Sequence, residues 1–201
     1  MRRRLLDLAI AGPALVAATP LLIGLGVAVR IDSGGPALYR QQRVGRHGVP
    51  FTLLKLRTMR DAPGGTLTVG DDPRITRLGA VLRRHRLDEL PQLVNVLRGE
   101  MAIVGPRPET PDHVALYTPE QREVLQARPG LTDPATLAWR HEADVLATAD
   151  DPEALYRSEI LPDKLARSRE YLRRASVASD LAVIARTVAA VVRPGAPGRR
   201  G

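Results

Sequence analysis

The stretch RRRLLDLAIAGPALVAATPLLIGLGVAVR, from Arg2 to Arg30, decides how the rest of the chain is read. Leu5 to Val29 is apolar almost throughout and comes directly after three arginines. A secretory signal has a basic start, an apolar middle of about 7–15 residues and small residues at the cut. Ala17-Ala18-Thr19 offers such a cut, but apolar sequence continues well past it to Val29. A spanning helix needs about 20 apolar residues, and they are present. Charge argues against a simple crossing. Arg2, Arg3 and Arg4 flank one end, and Arg30, Arg40, Arg43 and Arg46 flank the other. Cytoplasmic flanks are the basic ones, so both ends ask for the same side.

Pro20 offers a way to turn back. A proline inside a helix removes a hydrogen bond and clashes with the preceding turn, at about 3 kcal/mol. The hydroxyl of Thr19 can serve a freed carbonyl. The arm before the break, residues 5–18, rises roughly 21 Å at about 1.5 Å per residue, short of a hydrocarbon core of about 30 Å. Residues 1–30 are therefore read as a re-entrant helix-break-helix. Asp7 lies within the apolar run, where a charge is costly unless paired. Arg3 or Arg4 lies within one turn of it, and a seat at the membrane interface would serve equally.

The 201 residues allow one domain with a core, and 30 basic against 22 acidic side chains give a net charge of +8. Such a chain is drawn to polyanions: anionic lipid, phosphorylated substrate or nucleic acid. The absence of cysteine excludes disulfides and thiolate zinc sites. Aromatic content of 3% leaves few platforms for stacking bases.

Beyond residue 30 the pattern is mainly helical, of α+β class. Ala37–Val44 reads as a short strand. Pro50–Met59 alternates as a second, with Lys55 and Arg57 on one face and Leu54 and Leu56 on the other. Asp61–Asp72 is a loop, with Asp71-Asp72 able to cap the next helix. Ile75–Arg84 and Leu90–Leu97 have helical spacing, the latter stopped by Gly99. Met101–Val104 is a short apolar run, and Thr118 caps a short helix to Gln126. Pro152–Arg174 is helical and mostly polar, and Ala175–Val192 is rich in Ala and Val. The Pro/Gly/Arg tail at 193–201 reads as disordered, leaving 31–192 as one compact domain.

Arg83-Arg84-His85-Arg86-Leu87-Asp88-Glu89-Leu90-Pro91 carries the clearest chemistry. Pro91 suits a first helical turn, which puts Asp88 and Glu89 at or just before a helix start. Acidic residues there are ordinary caps. The same positive end also attracts phosphate, and an ionised aspartate can attack phosphorus as a covalent nucleophile. Anion attacking anion needs arginines or a hard ion such as Mg²⁺, which takes carboxylate oxygens and bridges to phosphate. Adjacent helical residues point about 100° apart, which gives the two carboxylates different tasks. Pro106-Arg107-Pro108 fixes a guanidinium between rigid residues, suited to phosphate or merely a stiff surface turn. Lys55 and Arg57 offer a second phosphate contact or a solvated strand face.

Taken in order, several segments resemble the bacterial sugar transferase family, the monotopic phosphoglycosyl transferases that start glycan assembly on polyprenyl phosphate. They are Arg4-Leu5-Leu6-Asp7, Thr19-Pro20, Gly35-Pro36-Ala37-Leu38-Tyr39-Arg40-Gln41-Gln42-Arg43-Val44-Gly45, Lys55-Leu56-Arg57-Thr58-Met59, Leu87-Asp88-Glu89-Leu90-Pro91-Gln92, Gly105-Pro106-Arg107-Pro108 and Arg128-Pro129-Gly130-Leu131-Thr132. The likeness covers nearly the whole chain and is to the minimal catalytic form. It implies a re-entrant membrane hairpin, to which Asp7, Thr19 and Pro20 belong. A compact cytoplasmic catalytic domain comes after it, with a few short strands and amphipathic interfacial helices, monotopic on the cytoplasmic face of the bacterial membrane.

The resemblance also implies a two-step reaction. Asp88 attacks the β-phosphate of a nucleotide-diphosphate sugar, with uridine the expected base, and the sugar-1-phosphate then passes to polyprenyl phosphate. Glu89, with Asp88, would hold Mg²⁺. Arg83, Pro106, Arg107 and Pro108 would bind substrate, with Lys55 and Arg57 as further contacts. The implied partners are the donor, the lipid acceptor, the inner leaflet and downstream glycosyltransferases, without nucleic acid. The implied role is to initiate exopolysaccharide, capsule, O-antigen or glycoprotein glycan synthesis. Three departures stand out. Thr19 replaces Ser before Pro20, Arg86 replaces a small polar residue, and Asp133–Arg140 replaces a Gly-rich continuation, which bears on donor-sugar choice.

Two other readings stay open at this point. Ile75–Leu97 can form a membrane-tethered helix-turn-helix for DNA, although its reading helix carries only Gln92 and Asn95 and starts acidic. A non-catalytic membrane scaffold is the other.

Overall fold

The structure, a computed structural model, describes residues 2–61, 69 and 72–192. The tail at 193–201 and most of the loop expected at 61–72 lie outside the described residues.

α1 (Arg2–Ser33) is a helical element of 32 residues, about 48 Å long at the rise of an α-helix. Among the described residues it is the helix long and apolar enough to cross a membrane. The break expected at Thr19-Pro20 does not interrupt the helical backbone, because Pro13 and Pro20 both sit inside α1. A proline removes a single donor. Thr19 donates its hydroxyl to the Leu15 carbonyl at 2.7 Å, one residue before the carbonyl that Pro20 deprives of its N–H. Proline and a back-bonded threonine both favour bending, so Thr19-Pro20 remains the bend-prone point of a continuous helix.

The pairing expected for Asp7 is corrected. Its Oδ1 accepts the Ile103 N–H at 2.9 Å, while Arg3 reaches Asp180 at 2.6 Å. Arg4 donates to the carbonyls of Val96 and Leu97 at 2.6 and 3.0 Å. A pair along one exposed helix face gains only about 0.2–0.5 kcal/mol. Docked on the domain, the same groups instead satisfy buried backbone.

β1 (Leu38–Val44) and β2 (Pro50–Leu56) form an antiparallel hairpin with Leu38 opposite Leu56 and Val44 opposite Pro50. Phe51 and Leu53 are buried on the face that Lys55 continues. α2 (Arg77–Arg84) is capped by Thr76, whose side chain accepts the Gly79 N–H at 2.9 Å. Asp72 therefore does not cap it and binds Arg74 at 2.6 Å instead; Asp71 lies outside the described residues. A 3₁₀ turn, Leu87–Glu89, leads into α3 (Gln92–Arg98). β3 (Ala102–Val104) pairs in parallel with β4 (Gly130–Thr132). Gly105 and Gly130 pass so closely that a Cβ on either meets the other strand's backbone.

The remainder is helical: α4 (Pro111–Ala115), a 3₁₀ segment Gln121–Gln126, α5 (Pro134–Ala138), α6 (Glu142–Leu146), α7 (Pro152–Leu155), a π-turn Tyr156–Ile160, α8 (Leu161–Arg174) and α9 (Val177–Val192).

One core joins Ala11 of α1 to Phe51, Leu53, Leu93, Val96, Met101, Ile103 and Val183. Another gathers Val29 of α1 with Leu56 and Leu82. A third, around Tyr156, Ile160 and Leu165, supports α8. Asn95, fully buried, welds α3 to β2: it donates to the Thr52 carbonyl at 2.8 Å and accepts the Leu54 N–H at 3.2 Å. That removes the DNA reading, since Gln92 and Asn95, the would-be readers, are both buried.

The outward faces are apolar too. On α1, Leu5, Val16, Ile23, Val27 and Ile31 are exposed, and on α9 so are Leu181, Val188 and Val192. Replacing Asp7 tests the dock of α1. Asp7→Ala strands the buried Ile103 N–H and is expected to cost about 1–3 kcal/mol, read as a lower thermal midpoint in a membrane mimetic. Asp7→Asn keeps an acceptor oxygen and should recover most of that loss. Equal midpoints for all three proteins would deny the bond any role.

Candidate active site

The acidic pair does not cap α3. The N–H groups of Leu93 and Val94 are taken by the carbonyls of Leu90 and Pro91 at 3.1 Å each. No side-chain cap is made from Pro91 or Arg86. Asp88 and Glu89 belong to the 3₁₀ turn before the helix, and side chains rather than helix amides meet their charge.

Glu89 is buried, and three cations from three places converge on it. Lys55 of β2 lies 3.3 Å from Oε1, and Arg107, in the loop after β3, lies 3.0 Å from the same atom. Arg86, in the residue before the turn, lies 3.4 Å from Oε2. Burial alone would raise the Glu89 carboxyl, but Arg107, Lys55 and Arg86 together hold it well below the usual carboxylate range. Burial pushes the Lys55 ammonium down, and Glu89 works against that shift.

Asp88 is treated differently. It is buried, yet its carboxylate makes no hydrogen bond to any described residue. Burial and the neighbouring Glu89 charge raise its carboxyl above the ordinary value, opposed by Lys55, Arg83 and Arg107. Arg83, in the last turn of α2, has its own value lowered by burial, with Asp88 working against that. The structure thus assembles Lys55, Arg83, Asp88, Glu89 and Arg107 at one point. Pro106 and Pro108 fix Arg107 from both sides: the Pro106 carbonyl accepts from Gly130 at 2.8 Å and that of Pro108 from Arg43 at 3.1 Å. Arg57 is not brought to the acids. Its guanidinium binds Asp61 at 2.9 Å and lies against Gly35, where a Cβ would strike it.

The donor set can be tested against a divalent ion. Mg²⁺ is bound through one or two carboxylates, with substrate phosphates and water completing its shell. Asp88 has its oxygens unengaged by described residues, and Glu89 Oε2 has only the long contact to Arg86. Two adjacent carboxylates of this kind fit such an ion when phosphate supplies further ligands. Among the described residues, no group of three or more His, Asp or Glu could hold a metal by itself.

Behind Arg107 lies a second polar cluster that sequence reasoning misses. Glu109 accepts from the Tyr156 hydroxyl at 2.8 Å, and its Oε2 lies 3.7 Å from Arg43 and 3.5 Å from His113 Nδ1. Burial works to raise its carboxyl, but the contact from His113 and the charges of Lys164 and Arg43 bring it down to about 2. Glu109 comes two residues after the Pro-flanked arginine, and that position is the available signal. Arg43, in sequence one of the membrane-flanking charges, is instead held by Gln41, Pro108 and Glu109.

Buried carboxylates ringed by fixed cations form a site suited to a phosphate-bearing substrate. The chain belongs to the bacterial sugar transferase family, whose model it matches over residues 1–194. It is 39% identical over 194 residues to the UDP-glucose:undecaprenyl-phosphate glucose-1-phosphate transferase of Caulobacter vibrioides, covering 94% of this chain and 68% of that protein. It is 33% identical over 207 residues to the exopolysaccharide production protein ExoY of Sinorhizobium fredii, covering 94% and 84%. Against the UDP-glucose:undecaprenyl-phosphate glucose-1-phosphate transferase of Escherichia coli the identity is 34% over 197 residues, covering 92% of this chain and 39% of that one.

His113 gives the site a pH signature. Its contact with Glu109 and that with Glu153 at 3.1 Å raise its value above 6.5, against burial. A group raised on folding contributes stability that is complete below its unfolded value and lost as pH rises through the folded one. The thermal midpoint of the wild-type chain should therefore fall as pH rises past the ordinary histidine value of 6.5, and His113→Gln should flatten that slope. Parallel slopes would show that the decline has another source.

Proposed function

We propose that the chain moves a sugar-1-phosphate from a uridine-diphosphate sugar to a polyprenyl phosphate through a covalent phosphosugar on Asp88, and so initiates exopolysaccharide synthesis. The observation that carries this is the division of labour in the pair. Glu89 is held by three cations, whereas Asp88 is left without a hydrogen bond among the described residues yet within the field of Lys55, Arg83 and Arg107. A nucleophile must keep a lone pair free and be ionised when it attacks. The names of the Caulobacter and Escherichia coli relatives specify such a donor and such an acceptor.

In the first step an Asp88 oxygen bonds to the β-phosphorus of the donor. The bond from that phosphorus to the bridging oxygen breaks, and the nucleoside monophosphate leaves with that oxygen. In the second, a phosphate oxygen of the polyprenyl acceptor bonds to the same phosphorus and the bond from Asp88 to phosphorus breaks, which yields a lipid diphosphosugar and regenerates the carboxylate. Arg107 and Lys55 are fixed donors for the phosphoryl oxygens, and Arg83 balances Asp88. Asp88 and Glu89 would hold Mg²⁺, which when bound supplies Lewis-acid neutralisation of the diphosphate.

Support for a cytoplasmic, monotopic seat comes from α1. Its N-terminal arm is tied to Asp180, α3 and β3, and Val29 near its other end packs with Leu56 and Leu82. Both ends are held by one domain, while the face turned away carries exposed apolar side chains such as Val16 and Ile31. A helix so tethered, bending at Thr19-Pro20, lies within one leaflet with both ends on the same side and the site at headgroup depth.

Asp88→Asn decides the proposal. Release of uridine monophosphate from a donor, with polyprenyl phosphate and Mg²⁺ present, should fall by at least about a thousandfold while the chain stays with the membrane. Because Asp88 is a raised carboxyl, its removal should leave the thermal midpoint at or above wild type. The acid limb of the wild-type rate should lie above the ordinary value of 3.8. Near-normal turnover in Asp88→Asn, or no phosphosugar on Asp88 after acid quench and mass spectrometry, would sink the mechanism. Tags on the two termini with opposite accessibility in sealed vesicles would sink the topology alone.

A further inference from the structure

Arg86 stands in the left-handed region, at φ 54° and ψ 22°. Non-glycine residues are uncommon there, and asparagine and glycine enter it most easily. The turn fixes this conformation: the Arg86 N–H donates to the Arg83 carbonyl at 3.1 Å, and the Arg86 carbonyl accepts from the Glu89 N–H at 3.2 Å. A long cation is a poor choice for such a backbone, so its side chain is where the reason lies.

That side chain meets Glu89 and no other described carboxylate. Lys55 and Arg107 share Oε1, and Arg86 is alone on Oε2, at the longest of the three distances. Its side chain is 34% exposed, which leaves it room to swing out. Oε2 is also the atom a divalent ion would use, because Oε1 already accepts two cations. A guanidinium and a metal ion cannot both sit at contact distance from one carboxylate oxygen without strong repulsion.

We propose that Arg86 is a displaceable latch on Glu89, which covers Oε2 in the absence of a divalent ion and competes with that ion for it. Entry of the ion expels the guanidinium, and the expelled arginine then lies free beside the incoming phosphates, where its fork geometry suits them. Glu89 is never left as a bare buried anion, and the chain in turn binds its metal more weakly than one with a small neutral residue at this position. The inference rests on the reading of Asp88 and Glu89 as the divalent site.

The test is Mn²⁺ binding to the full chain in detergent or nanodiscs, followed by the electron paramagnetic resonance of free Mn²⁺ with no donor present. Arg86→Asn removes the charge and suits the left-handed backbone, and Arg86→Gly does the same with no side chain to strain. Both should bind Mn²⁺ about tenfold more tightly than wild type, Arg86→Lys should stay close to wild type, and Glu89→Gln should lose the site. Unchanged or weaker affinity in Arg86→Asn and Arg86→Gly overturns the latch, as does Mn²⁺ binding that ignores Glu89→Gln. A wild-type chain that turns over donor while these affinities coincide fails the latch alone. A chain without turnover fails the proposed function and leaves the binding comparison intact.

Discussion

The buried negative charge of Glu89 is the constraint around which the candidate site is arranged. Leaving one partner of a buried ionic set without its mates costs several kcal/mol, so elements far apart in sequence must close on it. Lys55 is 34 residues away and Arg107 is 18. Their convergence fixes the last residues of β2 against the turn at 87–89 and draws the loop after β3 over both. Asn95 repeats the same connection further along, tying α3 to the backbone of β2 at Thr52 and Leu54. With Glu89 consuming these contacts, Asp88 can be buried beside it without being neutralised by a direct bond. In the proposed mechanism, stability and reactivity thus fall to adjacent carboxylates, the usual tension between a stable fold and a poised site.

Arg107 is in turn held from behind. Glu109 and Arg43 clamp β1 to the Pro-flanked loop through side chains and backbone, the Val44 N–H meeting the Glu109 carbonyl at 3.0 Å. Tyr156, His113 and Lys164 then balance Glu109 from α4 and the helical run of 152–174. The segment after Thr132 docks on α8 by polar contacts, Asp133 with Ser168, Trp139 with Asp163 at 2.7 Å and Glu142 with Lys164 at 2.7 Å. A change of sequence there reaches Arg107 through a chain of fixed contacts, without touching the acidic pair.

Much of this could be read from local pattern. Alternation gave β2 and put Lys55 opposite Leu54 and Leu56. Gly99, at φ 83°, ended α3 as a glycine C-cap should. Ordered motifs brought Asp88, Glu89, Arg83 and Arg107 to one place. What failed did so wherever the partner lay far along the chain. Asp7 had arginines one turn away, but its partner is the backbone of Ile103, 96 residues on. Asp88 and Glu89 looked like caps because composition cannot tell a 3₁₀ turn from the first turn of the helix behind it. Arg57 matched Lys55 in alternation, yet a loop acid and a glycine surface hold it elsewhere. Glu109 carried no periodic signal, since a buried ion's value depends on neighbours that only the fold supplies.

The arginines flanking the apolar segment show the same limit in a form that bears on topology. Counted from sequence, they are lipid-facing charges that keep both ends of α1 on one side. In the folded chain, Arg3, Arg4, Arg43 and Arg46 spend their donors on Asp180, on the carbonyls closing α3, on the Pro108 loop and on the Gln126 carbonyl at 2.8 Å. Fewer charges are therefore left to read the membrane surface than the net value implies. The tendency of both ends to stay together gains a different footing: packing of Ala11 and Val29 into cores that share β2. A packed contact of that kind is not screened by salt as surface charge is. It also couples the seat of α1 to the site, because Phe51 and Leu53, which pack under Ala11, lie on the strand that carries Lys55 near its end.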